Sequence, residues 1–520
     1  MCSAAICAVR VQALRRRVPS TAGRLAHSHT ATPNLVPSMR SRFVVVATSC
    51  LMWLAGPLSL PVHGQDYSRT TVEGPISGGA QGQPFGGLGE AGLPSGYVEE
   101  EWFVSGTATS YAKANEWRTD GLWQATPDEA ELYAVRMLVR RPADVSTFNG
   151  IVVVEWLNVT AQMEGAADYS QLEEELLREG YAWIGVGAQS VGINAPATGL
   201  KAWDPGRYER LHHPGDRFSY DIFSQAAWVV RNAAALGGPM DGLQVDHVLA
   251  AGRSQSAFRL VTYLNAIHPR GPLFDGYFIH SRGANAAGLT AEAMARDESD
   301  PIPPGAWIRT DLEVPVFDLQ TEGDMVTLGS HRTRQPPSET YRRWEIAGAA
   351  HADVPRWVVD VPPELPHGPG CTDPVNAAPS HAFVKAGLRA LVNWVAADVI
   401  PPQAPEIQLG SPSSSDPVSR DEHGNALGGV RIPQLEAPTA TMNGLQNSVA
   451  SATPGGQNFC FLFGNTKPFD AGTLRELYPS HESFVAPFVA AVDALERDGY
   501  LLAPEASDAR TAAMESRIGM

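Results

Sequence analysis

A serine sits in the run Gly252-Arg253-Ser254-Gln255-Ser256, between the apolar stretch Val248-Leu-Ala-Ala251 and the helical pattern AFRLVTYL. At a sharp strand-to-helix turn a serine hydroxyl is lifted clear of the backbone, and small residues are needed two positions before and after because neighbouring elements pass close. Gly252 meets that demand. Ser256 stands where a second glycine is usual and is small enough. The helix N-terminus behind Ser254 would supply a positive dipole end and N–H groups for a developing oxyanion. The chemistry this arrangement offers is nucleophilic attack on a carbonyl carbon.

A serine is a weak nucleophile until a base takes its proton, so a histidine oriented by a carboxylate is required. In a parallel sheet with a serine elbow, the acid follows one later strand and the histidine the next. Val314-Pro-Val-Phe-Asp-Leu319 runs into Gln-Thr-Glu322-Gly-Asp324, and Arg-Arg-Trp-Glu-Ile346 runs into Ala347-Gly-Ala-Ala-His351. His351 is the candidate base, because the small residues around it let its loop approach the nucleophile. His331, His367, His381, His423 and His481 fall in polar loops or on helices. Asp324 is at the register usual for the acid, with Glu322 as the alternative; Asp318 lies inside the strand and reads as structural.

These residues need a frame. Ile151-Val-Val-Val-Glu-Trp-Leu157 is a nearly continuous apolar run, as expected of a strand buried on both faces. Ser170-Gln-Leu-Glu173 reads as a capping box opening a helix that Gly180 ends. Tyr181 to Gly187 is the next strand, and residues 220–236 the next helix. Further strands are expected at 277–280, 314–319 and 343–346, with a last core helix after Pro379-Ser380. Strand and helix alternate over 151–400, which predicts an α/β protein with a mostly parallel sheet and helices on both faces. The alternating patterns between Glu99 and Arg141 add antiparallel strands ahead of it. The domain boundaries read from the chain are a leader at 1–64, a loose Gly-rich lead-in at 65–97, a catalytic domain at 98–400 and a C-terminal extension at 401–520 packed on the core.

The segments WLNVT, GRSQSA, QTEGD and AGAAHAD resemble the α/β-hydrolases, and more narrowly a bacterial family of exported α/β-hydrolase-domain proteins taken to be serine esterases. The resemblance implies an α/β-hydrolase fold and ester hydrolysis. The oxyanion hole is expected to combine the N–H of Gln255 with that of Asn158 or Val159. Asn158-Val-Thr160 also matches a glycosylation acceptor, an accidental match at a buried loop. Trp156, Trp183 and the segment 188–216 lie above the same sheet edge and are candidates for shaping a substrate pocket. His212-His213 has no cysteine or carboxylate at metal-ligand spacing, and neither dinucleotide nor phosphate-loop fingerprints occur, so no cofactor or metal is expected.

The 520 residues carry a net charge of −17, yet residues 1–64 hold seven arginines and no acidic residue, so the remainder stands at −24. So acidic a body repels phosphate backbones and argues against nucleic-acid partners. From Met39 the order of Arg40 and Arg42, an apolar run from Phe43 to Leu60, and turn residues up to Gly64 is that of a secretory signal peptide. Translation is expected to start at Met39, and a membrane anchor is the alternative reading. Export would remove Cys2, Cys7 and Cys50 and leave Cys371 and Cys460 in an oxidising compartment, where they would be either bonded or two buried thiols. The expected activity is hydrolysis of small carboxylic esters by a secreted or periplasmic serine hydrolase. The alternatives are an amidase, peptidase or acyltransferase with the same residues, or a silent binding scaffold.

Overall fold

The computed structural model describes residues 66–292, 301–354, 356–360, 365–411, 416–445, 447–449 and 459–520. The expected leader and signal peptide lie outside the described residues.

Ten strands form one sheet: β1 (Thr71–Glu73), β2 (Tyr97–Lys113), β3 (Ala125–Pro142), β4 (Ile151–Trp156), β5 (Ala182–Val186), β6 (His247–Arg253), β7 (Gly276–His280), β8 (Val316–Thr321), β9 (Tyr341–Ala347) and β10 (Val430–Arg431). Their order is β1-β2-β3-β5-β4-β6-β7-β8-β9-β10. Pairing is antiparallel from β1 to β5 and parallel from β5 to β10. The helices that matter for the site are α1 (Tyr169–Arg178), α2 (Ser219–Arg231), α3 (Gln255–Thr262), α4 (Glu322–Val326), α5 (Ser380–Ala397), α6 (His481–Arg497) and α7 (Ala503–Met514).

Successive side chains of a strand point to opposite faces, and the central strands divide accordingly. Val152 and Val154 of β4 join Val248 and Ala250 of β6 in a core with Phe223 of α2 and Leu260 of α3. Ile151 and Val153 join Leu249 and Ala251 in a second core with Leu172 of α1, Leu388 of α5, Phe488 of α6 and Ala509 of α7. Helices cover both faces, which is why apolar residues dominate the central strands, with polar side chains such as Glu155 and Asp318 buried among them.

Two local expectations differ from what is found. Ser170 does not cap α1, because it already lies inside the helix and its hydroxyl bonds the Ala167 carbonyl. The N-terminus is held by the buried Glu155 carboxylate of β4, which accepts the N–H groups of Asp168 and Tyr169 at 2.9 Å each. The lead-in is tied down: Arg207 donates to the carbonyls of Ile76 and Gly78, Arg136 to that of Phe85 and Arg140 to that of Gly86. Gly79 serves close approach: at its φ of +90° a Cβ would fall 2.4 Å from Asp204 Oδ2. The C-terminal region packs in the second core through Phe488 and Ala509 and also adds β10 to the sheet in parallel beside β9. No helix among the described residues is long and apolar enough to cross a membrane.

Candidate active site

Ser254 lies between the end of β6 and the first turn of α3, with φ 59° and ψ −120°. A non-glycine residue rarely adopts a positive φ, and such strain persists only where the surroundings enforce it. Here the Ser254 N–H donates to His280 O of β7 at 2.8 Å and its carbonyl accepts from Phe258 N–H at 3.1 Å. A Cβ on Gly252 would stand 2.9 Å from Leu260 Cδ1 and 3.2 Å from Ser256 Cβ, so the elbow closes only with small residues at both positions.

The first turn of α4, directly after β8, and the loop after β9 meet at the same edge. Gly323 N–H donates to Ala349 O at 3.1 Å, and His351 Nδ1 stands 2.6 Å from Asp324 Oδ1. The other Asp324 oxygen accepts from the hydroxyls of Ser281 and Thr321 and from the Thr321 N–H. Burial pushes the Asp324 carboxyl up, but the charge and hydrogen bond of His351, with those from Ser281 and Thr321, outweigh it and hold the group down at about 2. Asp324 is therefore an anion at neutral pH. Glu322 turns the other way: its carboxylate accepts from Arg420, from Gly444 N–H and from Gly348 N–H.

The guanidinium of Arg253 donates to the His351 carbonyl, which sets the histidine loop against the residue preceding Ser254. No hydrogen bond joins Ser254 Oγ to His351 among the described residues. Such contacts are often open in unliganded sites and tighten with substrate.

Of the expected oxyanion donors, Gln255 occupies the first position of α3. The Asn158 N–H is engaged with Gly165 O at 2.9 Å, so it is not available to an oxyanion. The Val159 N–H faces Gln255 Oε1 at 3.5 Å, too long to be a strong bond, and is the donor that loop can offer. The Asn158 side chain is occupied as well, donating to Arg253 O.

Trp156 and Trp183 lie inside the helix layers rather than above the sheet edge. Both are fully buried: Trp156 packs on Tyr220 and Phe223 and donates to Gln189, and Trp183 packs on Tyr169 and donates to Glu155. From the segment 188–216, Gln189 accepts from Gln255 Nε2 at 2.7 Å and donates to Asp216, which pairs with Arg259 of α3. Cys371 and Cys460 are bonded to each other. The bridge lies behind the histidine loop, where Ala352 N–H donates to Leu462 O. Ser281, Thr321 and Gln189 carry no motif of their own, and Arg253 is a variable position inside the elbow motif; closeness in sequence to the ends of β7, β8, β5 and β6 is the one signal a sequence holds for them.

A serine elbow, a His–Asp pair and a doubly covered parallel sheet define the α/β-hydrolase class. The chain matches the family described as "Alpha/beta hydrolase domain" over residues 72–511, and it belongs to that family. Among solved structures, it is similar to the esterase Est22, with 14% identity over 35% of this chain and 44% of that one at a TM-score of 0.20. It is also similar to a glucuronoyl esterase from Solibacter usitatus, with 10% identity over 52% and 69% of the two chains at 0.25. A third is the carboxylesterase Cest-2923 from Lactobacillus plantarum, with 13% identity over 41% and 71% at 0.21. The first of these matches spans less than half the length of the other protein. Among curated proteins, none matches the chain.

Proposed function

We propose that this protein hydrolyses small carboxylic esters through an acyl-enzyme on Ser254. The observation that carries the reading is the conjunction of Ser254, held at positive φ on the β6–α3 turn, with a pair formed by His351 on the loop after β9 and Asp324 in the first turn of α4 after β8.

In the proposed cycle His351 Nε2 takes the Ser254 proton as Oγ attacks the ester carbonyl carbon. The electron pair of the C=O bond moves to oxygen, and the N–H groups of Gln255 and Val159 receive that oxyanion. When the carbonyl re-forms, the C–O bond to the alcohol breaks and His351 returns the proton to the departing alkoxide oxygen. Water then attacks the acyl-enzyme with His351 again as base, and the acid leaves as Ser254 regains its proton. Asp324 stays ionised throughout and holds His351 with its proton on Nδ1, leaving Nε2 to accept.

We further propose that residues 1–64 direct export, that the catalytic domain spans 98–400, and that 65–97 and 401–520 pack against it. The disulfide between Cys371 and Cys460 supports an extracellular or periplasmic location. The test of the reaction is turnover of p-nitrophenyl acetate and butyrate by the wild type and Ser254→Ala. Loss in the variant supports the reading, and full activity in the variant overturns it.

A further inference from the structure

Arg253, the residue before the nucleophile, contacts the other loops of the site from both its main chain and its side chain. Its carbonyl accepts from Asn158 Nδ2 at 2.9 Å, which anchors the loop that presents the Val159 N–H. Its guanidinium donates to the main-chain carbonyl of His351, which anchors the loop that presents the base. Two buried carboxyls feel the same guanidinium. Burial raises the pKa of Asp168 and of Asp353, and the Arg253 charge works against that rise in both. Asp353 follows His351 by two residues and accepts the Ser380 N–H at the start of α5. Asp168 pairs with His280 at 2.7 Å, and His280 is the register partner of Arg253 across β6 and β7. The cation thus stands in the field of one carboxyl at the start of α1 and another on the histidine loop itself, and it donates to the His351 carbonyl.

We propose that Arg253 is the positioning residue of this site, setting the oxyanion loop and the base loop at a fixed distance from Ser254. The inference rests on the assignment of Ser254 as nucleophile. A cation that merely balanced buried carboxylates would have no need to bond a carbonyl of the histidine loop. A planar guanidinium can hold that carbonyl while facing carboxyls on other sides, whereas a lysine offers a single charged centre that can keep one of these contacts. Misplacing a base by about 1 Å can lower turnover by roughly a hundredfold, so the side chain should show itself in kcat.

The experiment compares wild type, Arg253→Lys and Arg253→Met in three readouts: kcat and KM on p-nitrophenyl butyrate, the rate of fluorophosphonate labelling, and Tm. Expected for Arg253→Met is a fall in kcat of roughly a hundredfold, a parallel fall in labelling rate and a nearly unchanged KM. Arg253→Lys should recover part of both rates. If Arg253→Met is folded at the assay temperature and keeps wild-type kcat and labelling, the inference is overturned while the nucleophile assignment stands. If Arg253→Met lowers Tm and activity only in proportion to its unfolded fraction, a purely structural role replaces the one proposed. If wild type itself neither turns over ester nor labels, the nucleophile assignment falls and this inference with it.

Discussion

His351 Nδ1 lies 2.6 Å from Asp324 Oδ1, and the opposite oxygen of that carboxylate is held by the Ser281 and Thr321 hydroxyls. The carboxylate is thereby fixed on one side by His351 and on the other by the ends of β7 and β8. Glu322, two residues earlier, is turned into a cage of Arg420 and two backbone N–H groups.

Asp324→Asn and Glu322→Gln should therefore fail in different ways. Asp324→Asn leaves the fold intact but favours the wrong imidazole tautomer, lowering kcat by roughly 10³- to 10⁴-fold. Glu322→Gln breaks a buried pair, at about 3 kcal/mol of stability, with kcat of the folded protein retained. Steady-state kinetics beside urea unfolding separates the two; a large kcat loss in Glu322→Gln alone would reverse the assignment.

Ser281 adopts φ 56° and gives its hydroxyl to Asp324 Oδ2 at 2.7 Å. Ser281→Ala leaves the two Thr321 donors in place, so Asp324 stays ionised but less tightly held. A fall in kcat of about tenfold is expected, equivalent to about 1.4 kcal/mol, measured at saturating ester. An unchanged kcat would confine Ser281 to holding the fold.

The buried acids give opposite responses to pH. Asp324 is depressed to about 2, so its contribution to stability is present above its unfolded pKa and is lost only as pH falls toward 2; no acid limb of activity above pH 4 belongs to it. Asp353 is raised to about 6, chiefly by burial. Between about pH 4 and 6 the folded protein binds the extra proton, so stability from this group declines as pH rises through that window. Asp353→Asn removes the decline. Its Tm relative to wild type should be higher at pH 8 than at pH 4, by the equivalent of about 2–3 kcal/mol, and equal differences at both pH values would contradict this.

The Cys371–Cys460 bond spans 89 residues of sequence, and the segment just after Cys460 receives the Ala352 N–H beside the candidate base. Replacing both cysteines by serine should lower stability by about 4 kcal/mol. It should also lower kcat below the unfolding temperature, because the histidine loop loses its backing. Thermal melts and ester kinetics with and without reductant check this, and a reduced protein with full kcat would detach the bond from the site.

The sheet was legible because strands covered on both faces must be mainly apolar, as Ile151 to Val154 are. The elbow was legible because Gly252 and Ser256 answer a steric demand visible in sequence. The choice between Glu322 and Asp324 was not, since the partner that turns Glu322 away, Arg420, lies 98 residues downstream. Nor was the fate of Trp156 and Trp183: both lie within strands, so their side chains point into the helix layers rather than over the sheet edge. The lead-in was misread as loose because its order comes from arginines at 136, 140 and 207, which hold its carbonyls from outside the segment.

Ser254 is the proposed nucleophile. Treating the protein with a fluorophosphonate and mapping the adduct by peptide mass spectrometry tests it most directly. One adduct on Ser254, absent from Ser254→Ala and formed far more slowly in Asp324→Asn, is the predicted result. A folded protein that remains unlabelled, or one labelled at another serine while Ser254→Ala keeps its activity, would contradict it.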